Sequence, residues 1–283
     1  MIEEVFMLRH GRTSYNLARR LQGQIDVPLD IVGQWQVDQS AFALAKRLYW
    51  AKVSAQALHP ERIAQPGAGA AEQVDVTQYQ EAPAAARRMV VMSSDLFRAQ
   101  QTAHAFADIL GLDVVVDARL RERSFGQWEG MTRAQIQAMD PEAYDSWKHH
   151  TGGETKYGVE SRAEVGSRGS QALYDIIAEL ESGDQRDVPT TLMLVSHGSW
   201  ITSTIAHLMD MNRDGLNVFG ALRNAFWCKL SVRHSINGVP VERPLFDVDE
   251  YNKGPAIADD ADWENGPADL RGPHMPAWKP VTW

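Results

Sequence analysis

Four short stretches of this chain carry residues able to act together on phosphorus. Arg9-His10-Gly11 follows the apolar run Val5–Leu8, Ser93-Ser94-Asp95 leads into Arg98, Arg121-Glu122-Arg123 follows residues 113–117, and Ser196-His197-Gly198 follows Leu194-Val195. The His10 imidazole is a nucleophile. The Arg98 guanidinium is suited to grip two phosphate oxygens through parallel hydrogen bonds, a geometry lysine lacks. Glu122, pulled toward its ionised form by the flanking arginines and toward its protonated form by burial or a bound phosphate, would both give and take a proton. Each residue alone is weak evidence, because a lone histidine is more often structural and surface Arg and Glu are mostly solvated. Together with Arg9 and His197 they supply a nucleophile, an anion clamp and a proton shuttle, which phosphoryl transfer through a covalent intermediate requires.

Such a set works only if the fold brings its members to one place. Short apolar runs predict strands at 4–8, 89–93, 113–117, 190–195 and 225–233. Amphipathic stretches predict helices at 14–22, 31–50, 96–110, 132–148, 161–182 and 199–210, the last three preceded by the capping types Thr132, Ser161 and Ser199. This alternation predicts a single three-layer α/β/α domain with a mostly parallel central sheet. In an open α/β sheet, ligands bind beyond the carboxyl ends of the strands, which is where His10, Arg98, Glu122 and His197 all fall. Thr13, Ser14 and Asn16 are nearby donors to the first of these positions, and a following helix N-terminus offers backbone N–H groups to an anion.

Two segments break the rhythm. Residues 52–86 mix Pro, Gly and Ala with little period and read as a surface insertion, partly disordered. Residues 252–283 hold five prolines and the tryptophans Trp263, Trp278 and Trp283, which argue that an irregular arm docks somewhere. The expected organisation is thus a domain over 1–251 followed by this arm.

The formal charge of −9 disfavours nucleic acid and anionic membranes as partners. A single cysteine, Cys228, excludes an internal disulfide and paired-cysteine zinc motifs. The start MIEEVFMLRHG lacks the basic flank of a signal peptide, and no apolar stretch approaches the ~20 residues of a membrane span, so a cytoplasmic location is expected.

The runs LRHGRTSYN, LQGQIDVPLD, SSDLFRAQQTA, LRERSFGQWEG, GVES and VSHG occur in an order and spacing that resemble the histidine phosphatase superfamily, in its phosphoglycerate mutase-like branch. The likeness covers about 4–51 and 88–235, leaving 52–86 and 252–283 outside. It implies that His10 becomes phosphohistidine, that Arg9, Arg98 and a protonated His197 bind the phosphoryl oxygens, and that Glu122 protonates the leaving oxygen and then activates water. It further implies that Asn16, Gln22 and Gly23 line the substrate pocket, that Gly198 adjoins it, and that Glu160 lies in the segment closing over it. The substrate is then a small phosphate monoester, with no metal or other cofactor needed. A homodimer is implied by the resemblance alone.

Hydrolysis and mutase transfer diverge in whether water or a second sugar-acid oxygen attacks the phosphohistidine. Family mutases place a tyrosine after the catalytic glutamate and an arginine pair farther on. Here Phe125 stands nearest that position, and 124–161 holds only Arg133, Lys148 and Lys156 as cations. Trp128, Trp147 and the HHTGGETKYGVES run resemble phosphatase members, in particular actinobacterial phosphatases acting on glucosyl-3-phosphoglycerate. Hydrolysis of that or a related metabolite is the expectation, with a phosphoglycerate mutase or a broad-specificity acid phosphatase as the alternatives. His149-His150 and the Asp247–Tyr251 run are weak rivals as metal sites, since adjacent helical residues diverge and the run lacks the rest of a magnesium phosphatase pattern. A binder without turnover would have little reason to keep Glu122.

Overall fold

Strand-and-helix alternation is realised around a six-stranded sheet of order β3-β2-β4-β1-β5-β6. The computed structural model describes residues 1–64, 75–211 and 219–270. In it, β1 (Ile2–Arg9), β2 (Arg88–Ser93), β3 (Val114–Val116) and β4 (Thr190–Ser196) are parallel, and β5 (Trp227–Ile236) and β6 (Val239–Lys253) add an antiparallel edge. The helices are α1 (Ser14–Leu17), α2 (Ile31–Arg47), α3 (Trp50–Leu58), α4 (Val76–Glu81), α5 (Phe97–Leu110), α6 (Arg133–Met139), α7 (Pro141–Lys148), α8 (Arg162–Glu181), α9 (Gly198–Leu208) and the single turn α10 (Ile257–Asp260).

Period-two alternation along the central strands makes two cores. Val5 and Met7 of β1 join Leu192 and Leu194 of β4 beneath α8 and α9, where Leu173, Ile176, Trp200 and Ile201 are buried. Phe6 and Leu8 face the other way, with Met193 and Val195, against Leu44 of α2 and Phe106 of α5. Helices thus cover both faces, as a parallel sheet demands, and the three-layer α/β/α reading holds.

The structure departs from expectation at several elements. The helix expected over 14–22 stops at Leu17, and Arg19 turns to a φ of 54°. The stretch 132–148 is two helices, because Pro141 lacks an N–H and disfavours helical backbone in Asp140, which instead caps α7 through Ala143 N–H. Thr132 and Ser161 each form a capping box, with Gln135 and Glu164. Ser199 is no cap: α9 begins at Gly198, and His197 precedes it without a side-chain cap bond.

Strand β6 was not expected, since Pro240, Pro244 and several acids obscure its period. An edge position tolerates both. The acids of the Asp247–Tyr251 run pair along this edge, Asp247 with Arg233, Asp249 with Lys229 and Glu250 with Arg47. Among the described residues no group of three or more His, Cys, Asp or Glu side chains is placed to hold a metal. None of the described helices is long and apolar enough to cross a membrane.

Within 52–86, the described residues 52–64 and 75–86 hold regular elements that the composition did not suggest. Helix α3 runs to Leu58, 3-10 turns occupy Pro60–Arg62 and Pro83–Ala86, and the Ser54 hydroxyl donates to Ala84 O. The arm docks as its tryptophans suggested. Trp263 is fully buried, its indole N–H donates to Asn224 O at 3.0 Å, and its ring packs on Trp35 and Phe226. Trp278 and Trp283 lie outside the described residues.

Candidate active site

The carboxyl ends of β1, β2 and β4 open into one cleft of about 660 Å³. His10 leaves β1 with its backbone N–H bonded to Ser196 O of β4 at 3.0 Å. Its ring Nδ1 lies 2.7 Å from Gly11 O, so Nδ1 carries the hydrogen and the lone pair is on Nε2, the nucleophilic tautomer. Its carbonyl accepts from Asn224 Nδ2 at 3.1 Å. Burial, reinforced by Arg98 and Arg9, pushes the His10 imidazole well below its ordinary value, keeping it neutral.

Arg98 stands at the second residue of α5. Its Nη1 donates to Ile25 O and its Nη2 to Gly23 O, each at 2.8 Å. The sequence suggested a free two-toothed fork; the structure instead uses the terminal nitrogens as anchors and leaves the buried Nε without a partner among the described residues. Burial, only partly offset by Glu122, lowers this guanidinium to about 10. Gly23, at φ 54°, both supplies the anchoring carbonyl and lies where a Cβ would strike the Glu129 carboxylate.

Arg9 donates from Nη1 to Leu222 O, and its buried Nε is likewise unpartnered among the described residues. Burial lowers the Arg9 guanidinium while Glu122 and then Glu264 hold it up. Gly198 packs against it, since a Cβ there would come 3.2 Å from Arg9 Nε.

His197 bonds through Nε2 to the Ser94 hydroxyl at 2.9 Å, and its buried Nδ1 has no partner among the described residues. Burial, then Arg98 and His10, push this imidazole well below its ordinary value. An imidazolium buried beside two guanidiniums is doubly unfavourable, which opposes the protonated His197 that the resemblance implies.

Glu122 accepts from Arg123 N–H at 2.8 Å, from Trp200 N–H at 3.0 Å and from Ser199 N–H at 3.2 Å. The first turn of α9 thus holds this carboxylate, which is why Ser199 does not cap.

Asn16 and Gln22 both line the cleft, held through Thr13: the Thr13 hydroxyl donates to Gln22 Oε1 at 2.8 Å and its N–H to Asn16 Oδ1 at 3.1 Å. Ser14 is exposed and does not line it. Glu160 does not line it either. Its carboxylate is taken up by the Arg168 fork at 2.6 and 3.1 Å and by Ser124 N–H at 3.1 Å, and Arg168 also binds the carbonyls of Arg121 and Glu122. Glu160 thus braces the Glu122 loop instead of facing substrate. Of the lid aromatics, Phe125 and Trp147 line the cleft, whereas Trp128 is fully buried in the lid's own core.

Sequence reasoning missed several participants. Ser94 and Thr102, whose hydroxyl accepts from Gly11 N–H, lay inside a motif that pointed to Arg98. Arg12, inside the first motif but not singled out there, also lines the cleft, as do Arg19, Arg20, Arg162, Arg223, Asn224 and Glu264, which no motif marked.

A sequence model of the histidine phosphatase superfamily (branch 1) matches residues 5–72 and 76–239. This chain belongs to the histidine phosphatase superfamily. The match takes in most of 52–86, which the motifs alone had placed outside. A glucosyl-3-phosphoglycerate phosphatase of Mycobacterium tuberculosis is 31% identical over 255 residues, 90% of this chain and 96% of that protein. A probable phosphoglycerate mutase of Yersinia enterocolitica is 32% identical over 213 residues, 74% of this chain and 75% of that protein. The solved structure of a mycobacterial glucosyl-3-phosphoglycerate phosphatase with VO3 superposes with a TM-score of 0.63 at 29% identity, covering 88% of this chain and 98% of that one. This histidine phosphatase is a phosphoric monoester hydrolase.

Proposed function

We propose that this phosphatase hydrolyses glucosyl-3-phosphoglycerate or a closely related glycosylated phosphoglycerate, with His10 as nucleophile and Glu122 as acid and base. The observation that carries the catalytic part is the trio of buried nitrogens around His10, namely Arg9 Nε, Arg98 Nε and His197 Nδ1, all without partners among the described residues. Buried donors left unpaired are costly, and a phosphoryl group would satisfy all three.

In the first step His10 Nε2 attacks phosphorus, the P–O bond to the leaving group breaks, and Glu122 gives that oxygen its proton. In the second, Glu122 takes a proton from water, the water oxygen bonds to phosphorus, and the P–N bond breaks to return neutral His10 and free phosphate. His197 takes up a proton when the phosphate dianion binds, because the added negative charge reverses the balance set by Arg9 and Arg98.

Support for the substrate class comes from charge. Among the described residues eight arginines line the cleft, including Arg133 and also Arg19, Arg20 and Arg162, which lie outside the count over 124–161. A monoester with no second anion has little use for so many, whereas a phosphoglycerate carries a carboxylate besides its phosphate. The similarity to the mycobacterial enzymes favours a glycosylated one. The same cations suit a bisphosphorylated intermediate, which keeps the mutase as a second reading.

A phosphate-release screen over glucosyl-3-phosphoglycerate, 3-phosphoglycerate, phosphoserine and sugar phosphates, run beside an assay for 2- and 3-phosphoglycerate interconversion, tests this. The highest kcat/KM is expected on the glycosylated acid. Faster interconversion than hydrolysis would overturn the reading.

A further inference from the structure

Among its arginines, the cleft has one carboxylate that the reaction above does not use. Among the described residues lining it, the acids are Glu122 and Glu264. Glu122 is engaged by three backbone N–H groups. Glu264 comes from the C-terminal arm.

The arm fixes Glu264 from both sides. Trp263 is anchored through its indole N–H to Asn224 O and through its carbonyl, which accepts from Gln36 Nε2 at 2.7 Å. The Glu264 carbonyl accepts from Arg12 Nη1 at 2.6 Å, and Gly266 turns at φ 68° against Val32. The side chain is a quarter exposed. Its Oε1 accepts from Arg223 Nε at 3.1 Å, and Oε2 has no partner among the described residues.

This placement is unfavourable for a site that binds only anions. Glu264 neutralises Arg223 and opposes any second phosphate or carboxylate nearby. A carboxylate brought to a cleft wall by a docked arm, with one oxygen unpartnered among the described residues, is instead a strong acceptor for hydroxyl groups. We propose that Glu264 is a specificity-determining residue that accepts hydrogen bonds from the hydroxyls of a polyhydroxylated leaving group and disfavours a second phosphate at that wall. Lid-side cations, Arg20 bonded to Gly130 O and Arg133 over Trp147, then remain for the substrate carboxylate. The inference rests on the glycosylated-substrate reading for its preferred ligand and extends it to a named residue.

Full-length Glu264→Ala and Glu264→Gln would be assayed on glucosyl-3-phosphoglycerate, 3-phosphoglycerate, 2,3-bisphosphoglycerate and nitrophenyl phosphate, with Arg223→Ala as comparison. The alanine variant is expected to lose about 10- to 100-fold more kcat/KM on the glycosylated substrate than on nitrophenyl phosphate, through KM, the range one or two charged hydrogen bonds allow. Glutamine, which keeps shape and one acceptor, should lie between. Activity on 2,3-bisphosphoglycerate should rise relative to nitrophenyl phosphate. Equal losses on all substrates, or an Arg223→Ala profile identical to that of Glu264→Ala, would overturn the proposal and leave Glu264 as a brace for the arm. If the wild type shows no preference for the glycosylated acid, the substrate reading fails instead. The same variants on glucose 6-phosphate against nitrophenyl phosphate then decide the hydroxyl role separately.

Discussion

The imidazoles of His10 and His197 lie 5.2 Å apart, centroid to centroid, tilted by 60° and both buried beside Arg98. Two rings in that relation disfavour both being imidazolium cations without a counter-anion, and the folded protein holds both below the ordinary histidine value. The unfolded chain then binds more protons than the native one once pH falls below about 6.5, so stability rises with pH in that range. The contribution is complete above that value and is lost as pH drops toward the depressed folded values, at up to about 1.4 kcal/mol per pH unit for each ring. Urea unfolding at successive pH values should show this slope, and His197→Asn should shallow it. An unchanged slope in the variant would remove His197 from the account.

Phosphate should reverse that proton balance. Calorimetry of phosphate binding in buffers of different ionisation enthalpy is expected to show net proton uptake near neutral pH, diminished in His197→Asn. No uptake would mean that His197 stays neutral in the complex.

Arg98→Ala removes both the unpaired Nε and the anchors to Gly23 and Ile25. By analogy with deleting one oxyanion donor, kcat/KM should fall by about 10²- to 10³-fold. Arg98→Lys should recover little, because an ammonium cannot hold two carbonyls and the phosphoryl group in one plane. Near-normal turnover in either variant would refute the role.

Replacement of Glu122 by Gln puts an amide where three backbone N–H groups now find a carboxylate. Hydrolysis of alkyl phosphates should slow more than that of nitrophenyl phosphate, whose leaving group departs without a proton. Equal losses on both would take Glu122 out of the acid role.

Beneath the lid, Arg123 Nη2 and Glu154 Oε1 form a buried ion pair at 2.9 Å. Glu154→Ala strands the guanidinium and should cost about 3–5 kcal/mol of stability, read by chemical denaturation. A change under about 1 kcal/mol would show that Arg123 finds compensation elsewhere.

The sequence exposed what is local. VFML ahead of Arg9-His10-Gly11 announced a strand delivering a nucleophile, and LMLVSHG announced its neighbour, because apolar runs and the residues leaving them are contiguous. The caps Thr132 and Ser161 were legible for the same reason. Ser199 misled because the competing acceptor for its N–H, Glu122, is remote in the chain. Asn224, which holds the His10 carbonyl, and Glu264, which comes from the arm, carry no local signature. Asn237-Gly238 was a readable hairpin signal for β6, although the prolines after it hid the strand.

The account stands most directly on whether His10 becomes phosphorylated. Rapid quenching after mixing with ³²P-labelled substrate should give labelled wild-type protein whose label survives alkali and is lost in acid, as a phosphoramidate requires, with no label on His10→Ala. Acid-stable label, or equal labelling of His10→Ala, would contradict it.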